Sequence, residues 1–146
     1  MEIIFKGTTL QICFEPQSEI IAVSYFGIIT KSEEFKAATC KAGEFAIAHK
    51  VRRWLLDQRN MNLHPHDHQW FYQHWQPSFD KAMPCSRKVA IIPAKNLFSE
   101  FSVKIENQRL AQSGNLQVRY FTTLEDARAW LLSDLNSFPI PNGKGV

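Results

Sequence analysis

Four of the five histidines fall between positions 64 and 74, and three of them form the string His64-Pro65-His66-Asp67-His68. Imidazoles bind zinc, nickel and copper well. His64 and His68, four residues apart, can share one helical face. The same string also reads as a solvated first helical turn, because Pro65 suits the first helical position and Asp67 is favoured by the helix dipole. His64, His66 and His68 are therefore the candidate metal ligands, while the helix-start reading is the expected one. No metal and no cofactor is expected.

Trp70, Phe71, Tyr72 and Trp75 follow at once. Successive residues turn about 100° around a helix, so these four cannot all face one core. If Phe71 and Trp75 pack inward, Trp70 or Tyr72 is left on a flank, as an anchor for a partner, a ligand or a second copy of the chain. A wide core contact is the competing reading. Asp57, Arg59, Asn60, Lys95 and Asn96 should gather at the carboxyl ends of parallel strands, where open α/β sheets bind ligands. Asp57 can equally form a structural ion pair with Arg59 or Lys95. No nucleophile elbow, P-loop or dinucleotide glycine fingerprint occurs. Glu33-Glu34 and Glu125-Asp126 read as helix-start carboxylates, and no catalytic residue is assigned.

The chain has 146 residues and suits one domain. It is long enough to bury a sizeable core without a disulfide or a metal. The net charge of +3 is spread over scattered Lys and Arg, so no nucleic acid is expected as a partner. Cys13, Cys40 and Cys85 are widely spaced and odd in number, which suits a reducing compartment. No signal peptide or membrane span is read from the sequence, and the cytoplasm is the expected location.

Several elements can be placed from periodicity. Leu10, Ile12 and Phe14 alternate with polar residues as in a half-buried strand. The turn Glu15-Pro16-Gln17-Ser18 leads to a second strand, from Ile20 to Phe26, ended by Gly27. Thr30 and Glu33 have capping-box spacing ahead of a helix over about 31–49. Val51 to Asp57 is the next strand. The aromatic helix starts at Pro65, and Pro77 should kink or end it near Gln76. Lys88 to Ile92 is a fourth strand. Asn96 caps a helix bearing Leu97, Phe101 and Ile105, which Ser113-Gly114 ends. Leu116 to Tyr120 is a fifth strand, and Thr123 with Asp126 starts the last helix. Residues 137–146, rich in Pro and Gly, read as a loose tail after a domain spanning 1–136. The expectation is an α/β domain of order ββαβαβαβα, with a mixed five-stranded sheet and four helices.

Three segments carry a resemblance. They are Ile20-Ile21-Ala22-Val23-Ser24-Tyr25-Phe26-Gly27 with Ile28-Ile29-Thr30, then Trp54-Leu55-Leu56-Asp57-Gln58-Arg59-Asn60, then Phe121-Thr122-Thr123-Leu124-Glu125-Asp126-Ala127-Arg128-Ala129-Trp130-Leu131. Together with the element order, they resemble the SpoIIAA-like, or STAS/SEC14-like, family of small bacterial proteins. The resemblance spans roughly residues 8 to 135. It implies a SpoIIAA/STAS-like fold and a regulatory or protein-interaction role without catalysis. The better-known members bind a kinase partner and are switched by phosphorylation of a serine after a central strand. The matching stretch here, Asp57 to His64, holds no Ser or Thr, so that switch is not expected. The SEC14 side implies a second role, carriage of a small apolar or lipid-like ligand. Asp57, Arg59, Asn60, Trp70, Tyr72 and Lys95 are the expected ligand or partner residues. A protein partner or self-association is expected, with an apolar small molecule as the alternative. A long apolar cavity under the aromatic helix would favour the carrier, and a flat exposed aromatic patch the interaction module.

Overall fold

The computed structural model describes residues 1–26, 29–94 and 115–133. Gly27, Lys95, the helix read from Asn96 and the tail from Ser137 lie outside the described residues. Six strands form one sheet in sequential order: β1 (Glu2–Lys6), β2 (Leu10–Glu15), β3 (Ile20–Tyr25), β4 (Arg53–Asp57), β5 (Arg87–Ile92) and β6 (Leu116–Tyr120). β1, β2 and β3 are antiparallel, and β3 to β6 run parallel. The sheet is mixed as expected, but it has six strands rather than five. β1 escapes a period-2 reading because its register shifts between Ile3 and Phe5. A bulge there breaks the alternation that marks a strand in sequence.

The helices are α1 (Ser32–His49), α2 (Pro65–Trp70), α3 (Gln76–Ala82) and α4 (Leu124–Leu131), with a π-helical turn over Phe71–Trp75 joining α2 to α3. Pro77 does not end the aromatic helix. The Gln76 N–H bonds the Phe71 carbonyl five residues back, and Pro77 falls in the first turn of α3. There its missing donor and fixed φ are harmless, so the chain stays helical to Ala82.

The sheet carries an apolar cluster on each face. On one face Leu10, Ile12, Ile21, Val23 and Trp54 pack against Phe35, Ala38, Ala42 and Ala46 of α1 and Phe79 of α3. On the other, Ile20, Leu55, Ala90 and Ile92 pack against Ala127 and Leu131 of α4. Lys88 is 1% exposed on this second face. Its Nζ donates to the Trp130 carbonyl at 3.0 Å and to Ser133, under the Trp130 ring. Arg53 Nε donates to the Leu131 carbonyl at 2.9 Å. Two cations thus satisfy carbonyls at the negative end of α4.

The start of α1 differs from the capping box that the sequence suggests. Lys31 is the N-cap residue and makes no side-chain cap bond. Glu34 instead reaches the β1–β2 turn, where both carboxylate oxygens accept from the backbone N–H and hydroxyl groups of Thr8 and Thr9. A Cβ on Gly7 would sit 2.9 Å from this carboxyl, so the close approach needs glycine. The Thr8 and Thr9 hydroxyls, then their N–H groups, hold the Glu34 pKa down to about 2, against 4.5 ordinarily.

A folded-state pKa below the unfolded one stabilises above the unfolded value and is lost as pH falls through the folded one. Thermal stability should therefore drop between about pH 4.5 and pH 2, the window set by those two values. Glu15 and Asp57, lowered by Arg128 and Arg59, act in the same direction. In Glu34→Gln, melts across this window should show a smaller drop. An unchanged pH profile would remove Glu34 from the account.

Candidate functional site

A cleft of about 470 Å³ opens between the α1/α3 face of the sheet and the aromatic helix. Its floor is the alternate residues of four strands: Val23 and Tyr25, Trp54 and Leu56, Val89 and Ile91, Val118 and Tyr120. Each pair points to one face because side chains alternate along a strand. Phe71, Tyr72, Trp75 and Phe79 supply much of the opposite wall, and Met61 and Leu63 of the β4–α2 loop also line it. From Arg87 to the level of Ile92 the cleft runs about 16 Å, at roughly 3.3 Å per strand residue. Its volume and apolar lining suit a small-molecule site.

Stacked rings build the helical wall. Phe71 stacks on Trp75 at 5.1 Å and Trp75 on Phe79 at 4.8 Å, four residues apart each time. Trp54 meets Trp75 and Phe79 edge to face. The wall lies close to α1 because Gly43 leaves room for the Trp75 indole. A Cβ there would come within 2.8 Å of Trp75 Cζ2.

The two ends of the cleft differ chemically. At the amino end of β5, Arg87 is buried. Its Nη1 lies 2.8 Å from Asp80 Oδ1, and its guanidinium sits over the Phe79 ring at 5.4 Å. At the carboxyl ends of the strands, Tyr25, Tyr120, Gln58, His68 and Tyr72 bring polar atoms to a mainly apolar lining. Burial, and secondarily the nearby Tyr72, pushes the Tyr25 phenol pKa well above its ordinary value. Burial also raises the Tyr72 pKa. Both phenols are therefore protonated at neutral pH. Tyr72 remains 58% exposed as a residue, so it lines the cleft and meets solvent together.

The residues singled out from sequence divide into several groups. Asp57 and Arg59 close a bidentate pair across the start of the loop, at 2.7 and 2.9 Å. Arg59 holds the Asp57 carboxyl below the usual range. Neither lines the cleft, nor does the exposed Asn60; the intervening Gln58 does. Trp70 is half-buried, edge to face on Phe35 at 5.9 Å, with Lys36 over its ring. Tyr72 reaches the cleft. His64 is the N-cap of α2, its Nδ1 accepting from the His66 N–H at 3.0 Å. Asp67 is buried and accepts from Ser32 Oγ at 2.6 Å, while His68 faces the cleft. Among the described residues no three His, Cys, Asp or Glu side chains are grouped to hold a metal. Cys13, Cys40 and Cys85 are free thiols.

Tyr25, Leu56, Gln58 and the Asp80–Arg87 pair were not singled out from sequence. The available signal was position, since Tyr25 and Gln58 sit at or just past the carboxyl ends of parallel strands. A broader groove of about 730 Å³ lies beside the amino ends of those strands, lined by Lys50, Arg52, Arg53 and Cys85 among others. Arg52 and Arg53 direct their Nε atoms to the carbonyls of Ser86 and Leu131. Those cations are engaged in the fold, and among the described residues no aromatic side chain lines this groove.

Among the described residues no helix is long and apolar enough to cross a membrane. Comparison with curated proteins finds no match, and comparison with solved structures finds none. The SpoIIAA-like family profile matches residues 20–132. That span runs from the first residue of β3 to just past α4, and includes all four parallel strands that floor the cleft. With the parallel sheet, its crossover helices and the profile in agreement, the chain belongs to the SpoIIAA-like family.

Proposed function

We propose that the protein is a binding module whose sheet and aromatic helix take up a small apolar molecule. The supporting observation is the apolar cleft of about 470 Å³ beneath the aromatic helix. Of the two roles that the sequence suggests, this feature favours the ligand carrier. The lining gives an apolar body a continuous surface, and few polar groups interrupt it.

The test uses ten-carbon chains with opposite head groups, decanoic acid and decylamine, titrated into untagged protein. Trp54 and Trp75 line the cleft, so at least one probe should change tryptophan emission saturably and raise the melting temperature. Absence of a saturable response to both would overturn the reading.

A second reading, a regulatory protein-interaction module, draws on family membership and on Tyr72, 58% exposed on the aromatic helix. A Tyr72→Ala variant that lost self-association or partner capture while keeping probe binding would favour it.

A further inference from the structure

We propose that the cleft selects its ligand by the polar end: the hydroxyls of Tyr25 and Tyr72 donate hydrogen bonds to a carbonyl or carboxyl oxygen. The apolar remainder of the molecule lies along the sheet toward Phe79. This rests on the cleft being a ligand site and adds the chemistry of the ligand.

Tyr25 is 9% exposed, closes β3 and lines the cleft. The Tyr25 hydroxyl is not a sealed, unsatisfied core group but opens to the cleft, where either the fold or a ligand can supply its partner. Among the described residues the Tyr25 hydroxyl has none, and neither has that of Tyr72. The two phenols are close enough for the charge of one to act on the other. Two hydroxyls without a partner among the described residues thus line one end of the cleft.

The sign of the ligand's head group follows from the surroundings. Phenols that stay protonated offer O–H donors, which complement an acceptor oxygen. The cleft carboxylate among the described residues, Asp80, lies at the other end and is paired with Arg87 at 2.8 Å. Among the described residues, no lining carboxylate therefore repels an acceptor or an anion beside Tyr25. Leu56, Met61 and Leu63 surround the chain that follows the head group.

The test compares decanoic acid with decylamine on the wild type, Tyr25→Phe, Tyr72→Phe and the double variant. Wild type should prefer the acid. Each single variant should bind the acid about tenfold more weakly, the loss expected for one hydrogen bond to a charged or strongly polar group. Amine binding should be unchanged. Without ligand, Tyr25→Phe should melt close to the wild-type temperature, because the hydroxyl opens to the cleft and makes no hydrogen bond within the described fold. A drop in its melting temperature with unchanged acid affinity would make the hydroxyl structural and overturn the proposal. Equal binding of both probes, unaffected by the variants, would overturn the head-group assignment and leave the cleft reading standing. Failure of both probes on wild type would remove the cleft reading itself.

Discussion

Trp54→Ala should lower the unfolding free energy by about 3–5 kcal/mol, the range for truncating a large buried aromatic. Trp54 lies in β4, one of the inner parallel strands, and is 8% exposed. Its ring stands edge to face against Trp75 and Phe79, with centroids 6.5 and 5.7 Å away. Such pairs contribute beyond their buried area. Alanine would remove the floor on which the helical wall rests, and the residual void would add to the lost contacts. The stacked Phe71, Trp75 and Phe79 cannot follow freely, because Gly43 of α1 already holds Trp75 at close range. Urea unfolding of the two proteins measures the difference. A loss below about 1 kcal/mol would mean that Trp54 does not support this wall.

Leu56→Trp should abolish ligand uptake while sparing the fold. Leu56 is half-buried and faces the cleft from the middle of the parallel strands, beside Val23 and Ile91. An indole there enters the space a ligand would occupy, and tryptophan suits a strand. Overpacking a filled core usually costs about 1–3 kcal/mol, so the change in stability separates the two situations. Filling open space should leave the melting temperature within a few degrees of wild type. Affinity for the ten-carbon probe should fall by at least about a hundredfold, since the apolar chain loses its bed. Intact affinity with a normal melt would place the ligand elsewhere. A large loss of stability would show that the space beside Leu56 is already filled.

The parallel part of the fold was legible because local signals agreed there. Leu116 to Tyr120 is a strand over the expected residues, and Thr123 caps α4 by accepting from the Asp126 N–H at 3.1 Å. The hairpin from Leu10 to Tyr25 follows its alternation and its short turn. Readings failed where a local rule was overridden by a nearby adjustment. The bulge in β1 hid a strand, and of the kink or end expected at Pro77 the π-turn rules out the end, because the chain stays helical through it. Glu34 was drawn away from a helix-capping role by four donors on Thr8 and Thr9, 25 and 26 residues earlier.

The candidate site was harder to read, because a cleft is made of residues that sequence does not place together. Val23, Leu56 and Ile91 become neighbours only through strand register. Taken singly, each looks like ordinary core. Asp57 and Arg59 stood out as charges, yet two residues apart they close on each other. Tyr25 had the opposite problem. Its apolar neighbours in β3 made it look like packing, and its unpaired hydroxyl emerges only with the structure.

Native mass spectrometry of the untagged protein, followed by denaturation and analysis of whatever is released, tests the central claim most directly. The account predicts a folded species heavier than the chain by one small molecule, with an apolar body and a carbonyl or carboxyl oxygen. Leu56→Trp purified in the same way should carry none. A wild-type protein that flies only at the mass of the bare chain, and stays so after incubation with decanoic acid, would contradict the account.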